Sequence, residues 1–107
     1  MSKPVNLIAE AQVDGVHLSW EKPLKAADGE TASGYVIYRF SEGEKIDILD
    51  SKHIIRISFE DFPRFIDTNV ETGKRYNYLV TALDRLKNES EPSGPVGILA
   101  KDLASAK

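Results

Sequence analysis

The chain has 107 residues, enough for one domain and too few for two. Its 14 basic and 17 acidic side chains give a formal net charge of -3, the wrong sign for the basic stripe that displaces counterions from nucleic acid. Cysteine is absent, which excludes a disulfide framework, a thiolate metal site and a cysteine nucleophile.

No apolar run approaches the roughly 18 residues that cross a bilayer, so direct membrane insertion is not expected. Residues 1–4 read as a lead without the apolar stretch of a signal peptide, so an exported parent would carry its signal upstream or have lost it. Residues 5–11 form a short apolar stretch closed by Asp14-Gly15, a strong turn dipeptide. Val16, Leu18 and Trp20 then alternate with His17, Ser19 and Glu21, the period of a strand with one buried face. Together they predict a hairpin.

Residues 22–33 are polar and hold Pro23, Asp28 and Gly29, which predicts a loop. Residues 34–40 are β-branched and aromatic, a strand. Residues 47–53 have room for one helical turn capped by Asp47 or Asp50. Short strands follow at 54–57 and 64–66, with Pro63 at a strand start where its missing N–H is tolerated. Gly73 centres a turn, residues 75–83 form the longest strand, and residues 96–99 form the last. Residues 101–107 read as a fraying tail. Short strands at turn spacing without a long helix predict a two-layer β-sandwich or a small barrel.

The run from Phe65 to Asp84 resembles fibronectin type III domains: an aspartate, a glycine turn, then Tyr, Val and Ala at alternating positions. Trp20 after Leu18 is similar to the core tryptophan of that family's second strand, and residues 34–39 to its third. Ser90-Glu91-Pro92-Ser93 is similar to the polar approach to its last strand. The resemblance implies an all-β, seven-stranded antiparallel sandwich of immunoglobulin-like architecture over residues 5–100. It also implies structural roles for Trp20, Asp67, Gly73 and Tyr76. Tyr76 would be the tyrosine-corner residue, its hydroxyl meeting a backbone group of the preceding turn. Asp67 would fold its carboxylate onto following N–H groups. Gly73 would take a conformation costly for a residue with a Cβ.

A narrower resemblance lies in residues 38–47, 51–55 and 81–90. It is to the C-terminal type III module of bacterial secreted or lipid-anchored proteins whose main domain is a glycoside-hydrolase-like barrel. That implies a secreted, periplasmic or cell-surface accessory module whose partner is a neighbouring domain of its own polypeptide. The alternatives are a carbohydrate-binding module and an adhesion-type protein-interaction domain. Oligomeric state is not legible.

Reactive groups are scattered. His17 and His53 do not form a ligand cluster, and no cofactor motif is present. Glu60-Asp61, Glu42 with Glu44, and Asp47 with Asp50 are near in sequence, but nothing beside them suggests the desolvating cleft a glycosidase needs. Calcium has loop carboxylates in Glu42, Glu44 and Asp47 but no EF-hand spacing. No catalytic residues, metal ligands or cofactor are therefore assigned.

Strand parity supplies the one anomaly. With Tyr76, Tyr78, Val80 and Ala82 inward, Leu79 and Leu83 point outward; with Tyr35 and Ile37 inward, so do Val36, Tyr38 and Phe40. In the resembled fold these strands are neighbours, so Val36, Tyr38, Phe40, Leu79 and Leu83 form a candidate interface. Three fates are open for it. Lys and Arg stems or residues 41–62 cover it, a neighbouring domain docks on it, or Tyr38 and Phe40 form a platform for sugar rings. Docking predicts that a charge at Leu79 or Leu83 leaves the isolated domain folded.

Overall fold

A computed structural model describes residues 3–22, 32–58, 62–86 and 88–101. Asp14-Gly15 turns β1 (Val5–Gln12) back onto β2 (Gly15–Glu21), with Gln12 opposite Gly15. Asn6 sits at φ 55, where the register of β1 shifts between Val5 and Ile8; asparagine enters this left-handed region more readily than most residues. On its other side β2 pairs with β5 (Arg64–Asp67), completing a three-stranded antiparallel sheet.

The second sheet is built around β3 (Gly34–Ser41) and β6 (Arg75–Leu83), antiparallel along their whole length. β4 (Ile54–Ser58) flanks β3 and β7 (Val96–Leu99) flanks β6, giving the order β4-β3-β6-β7. This is the seven-stranded antiparallel sandwich expected from the sequence. The expected helical turn shrinks to one 3₁₀ turn, Ser51–His53, capped by Asp50, whose carboxylate accepts from the Lys52 N–H. The predicted loop at 22–33 lies mostly outside the described residues, as do residues 102–107 of the tail.

The inward faces meet as the alternation requires. Leu7, Val16, Leu18 and Trp20 of the first sheet close on Tyr35, Ile37, Tyr76, Tyr78, Val80 and Ala82 of the second. Trp20 stands edge-on to Tyr35, ring centroids 5.1 Å apart, a geometry the ring quadrupoles favour. Each fully buried large aliphatic or aromatic side chain here contributes about 1.5–3 kcal/mol by leaving water.

Gly15 does more than turn the hairpin. Its φ is 142, and a Cβ placed on it would lie 2.4 Å from the Asp67 carbonyl oxygen. That contact is backbone against backbone, so β2 and β5 must separate to relieve it. Gly15→Ala is expected to cost about 2–3 kcal/mol, read as a lower urea midpoint. Gly73→Ala, with φ 89 but open space around it, should cost about 1–2 kcal/mol. Equal losses at the two positions would show that the close approach does not matter.

The end of the second sheet is finished by side chains. Residues 90–93 run beside β6 without forming a regular strand, and two serines complete the pairing. The Ala82 N–H donates to Ser90 Oγ at 2.9 Å and the Val80 N–H to Ser93 Oγ at 3.0 Å. The Ser90 and Ser93 N–H groups in turn donate to the Ala82 and Val80 carbonyls. Every one of these buried β6 groups is therefore satisfied, as the low-dielectric interior demands.

Candidate functional site

The five candidate interface residues do come together on the outer side of β3 and β6, but they are not available to a partner. Tyr38 is 1% exposed, Phe40 0% and Leu79 2%, and Val36 and Leu83 are also buried. The chain itself covers them. The connection from β3 to β4 crosses the face and lays Ile48 on the cluster, joined by Ile54 at the start of β4, and the His53 ring sits 4.4 Å from that of Phe40. Of the three fates, cover by residues 41–62 is the one seen, while docking on this face and the sugar platform at Tyr38 and Phe40 are corrected. Outward parity held while exposure did not, because a second small core forms on that side.

One carboxylate closes the edge of this second core. Glu89 Oε2 accepts from the Tyr38 hydroxyl and, at 2.5 Å, from the Thr81 hydroxyl. Burial, reinforced by that carboxylate, pushes the Tyr38 phenol well above its usual range. Sequence reading missed Glu89, which looks like ordinary loop charge; the signal was Thr81, a hydroxyl at an outward position between two leucines.

At one end of the sandwich the structural residues form a polar pole. Asp67, itself buried, receives Arg39 Nη1 on both oxygens, at 3.0 and 2.8 Å. It also receives the Tyr78 hydroxyl at 2.6 Å and the Asn69 N–H at 3.1 Å. Burial first, then the Asp67 carboxylate, drives the Tyr78 phenol far above its ordinary range. Tyr76 accepts the Glu71 N–H at 2.9 Å on its hydroxyl, while its ring lies 5.6 Å from the Arg39 guanidinium carbon. This pole ties β5 of one sheet to β3 and β6 of the other. Its acids and bases are locked to one another, which is the geometry of a clamp and not of a reactive centre.

Three further carboxylates are occupied with turns. Glu44 accepts from the Ser41 N–H at 2.6 Å, Asp47 from the Leu49 N–H at 2.9 Å, and Asp84 from the Leu86 and Asn88 N–H groups at 2.8 and 2.9 Å. Those backbone donors hold the Glu44 and Asp84 carboxyls below their usual range. Hydrogen bonding to His17 lowers Asp14, and to Lys74 lowers Glu71. A glycosidase acid needs the opposite shift. Glu60 and Asp61 lie outside the described residues. Among the described residues no three His, Cys, Asp or Glu side chains are gathered for a metal ion.

The open face is on the other sheet. Ile8, Glu10 and Gln12 of β1, His17 and Ser19 of β2, and Arg64 and Ile66 of β5 share its outer side. With Phe62 they line one shallow groove. Ile8, Phe62 and Ile66 are 58%, 59% and 43% exposed. His17 lies on this face as expected and pairs with Asp14 at 2.6 Å. Leu7 inward and Phe65 inward would have given Ile8 and Ile66 outward, so the same parity argument applied to β1 and β5 finds this groove.

No family model matches the chain. In sequence it is 40% identical over 91 residues, 84% of its length, to an amylopullulanase of Thermoanaerobacterium saccharolyticum, and it spans only 6% of that protein. In structure it is similar to an Fn3-like protein from Clostridium thermocellum, with a TM-score of 0.71, 21% identity and 95% of each chain covered. It is also similar to part of a β-1,2-glucanase from Parabacteroides distasonis, with a TM-score of 0.70 and 27% identity, covering 94% of this chain and 13% of that one. A stretch of titin, domains A168–A170, gives a TM-score of 0.74 at 18% identity, covering 94% of this chain and 32% of that one. Sheet order, the Tyr76 corner and these likenesses agree: the chain is a fibronectin type III module.

Proposed function

We propose that the chain is a non-catalytic accessory module of an exported glycoside hydrolase, spacing and orienting the catalytic domain. The observation that carries this reading is the 40% identity to a segment amounting to 6% of an amylopullulanase. A module that is so small a share of a polysaccharide-degrading enzyme is an appendage to its chemistry. The engagement of Glu44, Asp47 and Asp84 by backbone N–H groups supports the same reading, because a carboxylate that caps a turn is not free to move protons. With the face of β3 and β6 covered by the chain itself, orientation would come from the module's ends.

The test is an assay of the isolated chain on pullulan and amylopectin by release of reducing ends. No turnover is expected above a heat-denatured sample. Turnover that disappears when one carboxylate of this chain is replaced by its amide would overturn the reading.

A further inference from the structure

We propose that the open face of β1, β2 and β5 binds a neutral oligosaccharide, with Phe62 as the ring platform. The inference rests on the reading of the chain as a module of a polysaccharide-processing enzyme, and it deepens it by naming a surface and a ligand class.

Three large apolar side chains, Ile8, Phe62 and Ile66, stand well exposed along one groove. A small monomeric domain does not keep such a strip in water without cost. What surrounds the strip chooses its occupant. Across the strands the rows read Ile8–Ser19–Arg64 and Glu10–His17–Ile66, so apolar and ionisable groups alternate over the whole face. A protein partner would have to dry this checkerboard, and the cores of protein interfaces are depleted of charge because desolvating it is expensive. A pyranose chain replaces the lost water with its own hydroxyls while its C–H faces lie on the apolar strip.

Charge selects within the sugars. Glu10 and Asp14 are anionic and Arg64 cationic, with the His17 ring held on Asp14 at 2.6 Å. Such a mixed set offers donors and acceptors together, and its excess of carboxylates does not attract a polyanion. Arg64 has no ion-pair partner among the described residues. Glu10 already orients Gln12, which donates to it at 2.6 Å, so a carboxylate and an amide present a fixed pair of hydrogen-bonding groups beside Ile8. Phe62, at the β5 side, supplies the aromatic surface.

The experiment is a ¹⁵N NMR titration of the full chain with maltohexaose and with cellohexaose, and with tetragalacturonate as the charged control. Either neutral hexaose is expected to shift the amides of Ile8, His17 and Ile66, with a Kd of about 1 mM. Phe62→Ala should weaken this by about tenfold or more, with the rest of the spectrum unchanged because that side chain is surface-exposed. Absence of shifts with both hexaoses, shifts confined to other strands, or tighter binding of tetragalacturonate would each overturn the proposal. So would concentration-dependent shifts of the same amides without sugar, which would assign the face to a second copy. Failure here leaves the appendage reading standing, since that reading is decided by turnover and not by binding.

Discussion

Leu79→Glu is expected to unfold the isolated domain. Leu79 lies on the outer side of β6, at a position where period two assigns solvent, yet it is 2% exposed. It belongs to the cluster of Val36, Tyr38, Phe40 and Leu83 closed by Ile48 and Ile54. The substitution removes the burial of a leucine, about 2–3 kcal/mol. It also places a carboxylate where the neighbouring groups are apolar, a penalty of several kcal/mol. The combined loss, on the order of 5 kcal/mol or more, is comparable with the whole stability of a domain this size. Circular dichroism should show the β spectrum lost, and the NMR amide dispersion should collapse. Leu86→Glu, at a position 78% exposed, should change the unfolding midpoint hardly at all. A folded Leu79→Glu chain would mean that residues 42–53 lift off easily and that the face is a docking surface after all.

The contrast between these two leucines marks what the sequence can disclose. Alternation on β3 and β6 was legible from local spacing, while their pairing, the tyrosine corner and the Asp67 turn followed from the family resemblance. The cover over the outer face was legible only as one of three open fates, with residues 41–62 named for it. Residues 41–53 contain only Ile46, Ile48 and Leu49 as large apolar groups, with no period. Of these Ile48 packs on the face while Leu49 is almost fully exposed. Nothing in such a segment says where it will lie, since its position is fixed by the single 3₁₀ turn that seats His53 on Phe40. Arg39 was legible in principle. It follows Tyr35 and Ile37 at the inward parity, and a guanidinium inside a sandwich requires a carboxylate. Asp67, already expected to be a turn residue, was the natural partner, 28 residues away.

That pairing leads to the second large effect, at Asp67. Asp67→Asn keeps the volume of the side chain and removes its charge. One oxygen is replaced by a donor that cannot accept from Arg39 or Tyr78, both of which donate to Asp67 in the native domain. Breaking a buried ion pair from one side costs about 3–5 kcal/mol, because the surviving charge is left uncompensated. Arg39 retains 24% exposure of its side chain while Asp67 has 4%, so water shields part of the orphaned cation and the low end, about 3 kcal/mol, is expected. For a domain near 100 residues this is about 10–20 °C in Tm. Arg39→Met should cost at least as much, since it orphans the carboxylate that is 4% exposed, leaving it only the Tyr78 hydroxyl and the Asn69 N–H as donors. The double variant should therefore be more stable than the sum of the two losses implies, the signature of direct coupling. Phenol titration gives an independent reading of the same pole. Because the Tyr78 pKa is raised in the fold, its contribution is present below the ordinary phenol pKa and is lost as the solution becomes more alkaline than that. The native chain should hold Tyr38 and Tyr78 un-ionised until it unfolds in alkali, seen as a step in phenolate absorbance coincident with loss of structure. If Asp67→Asn lowers stability by less than about 1 kcal/mol, the pole is a surface ornament, and the two sheets are held together at that end by Val16 and the apolar core beside it alone.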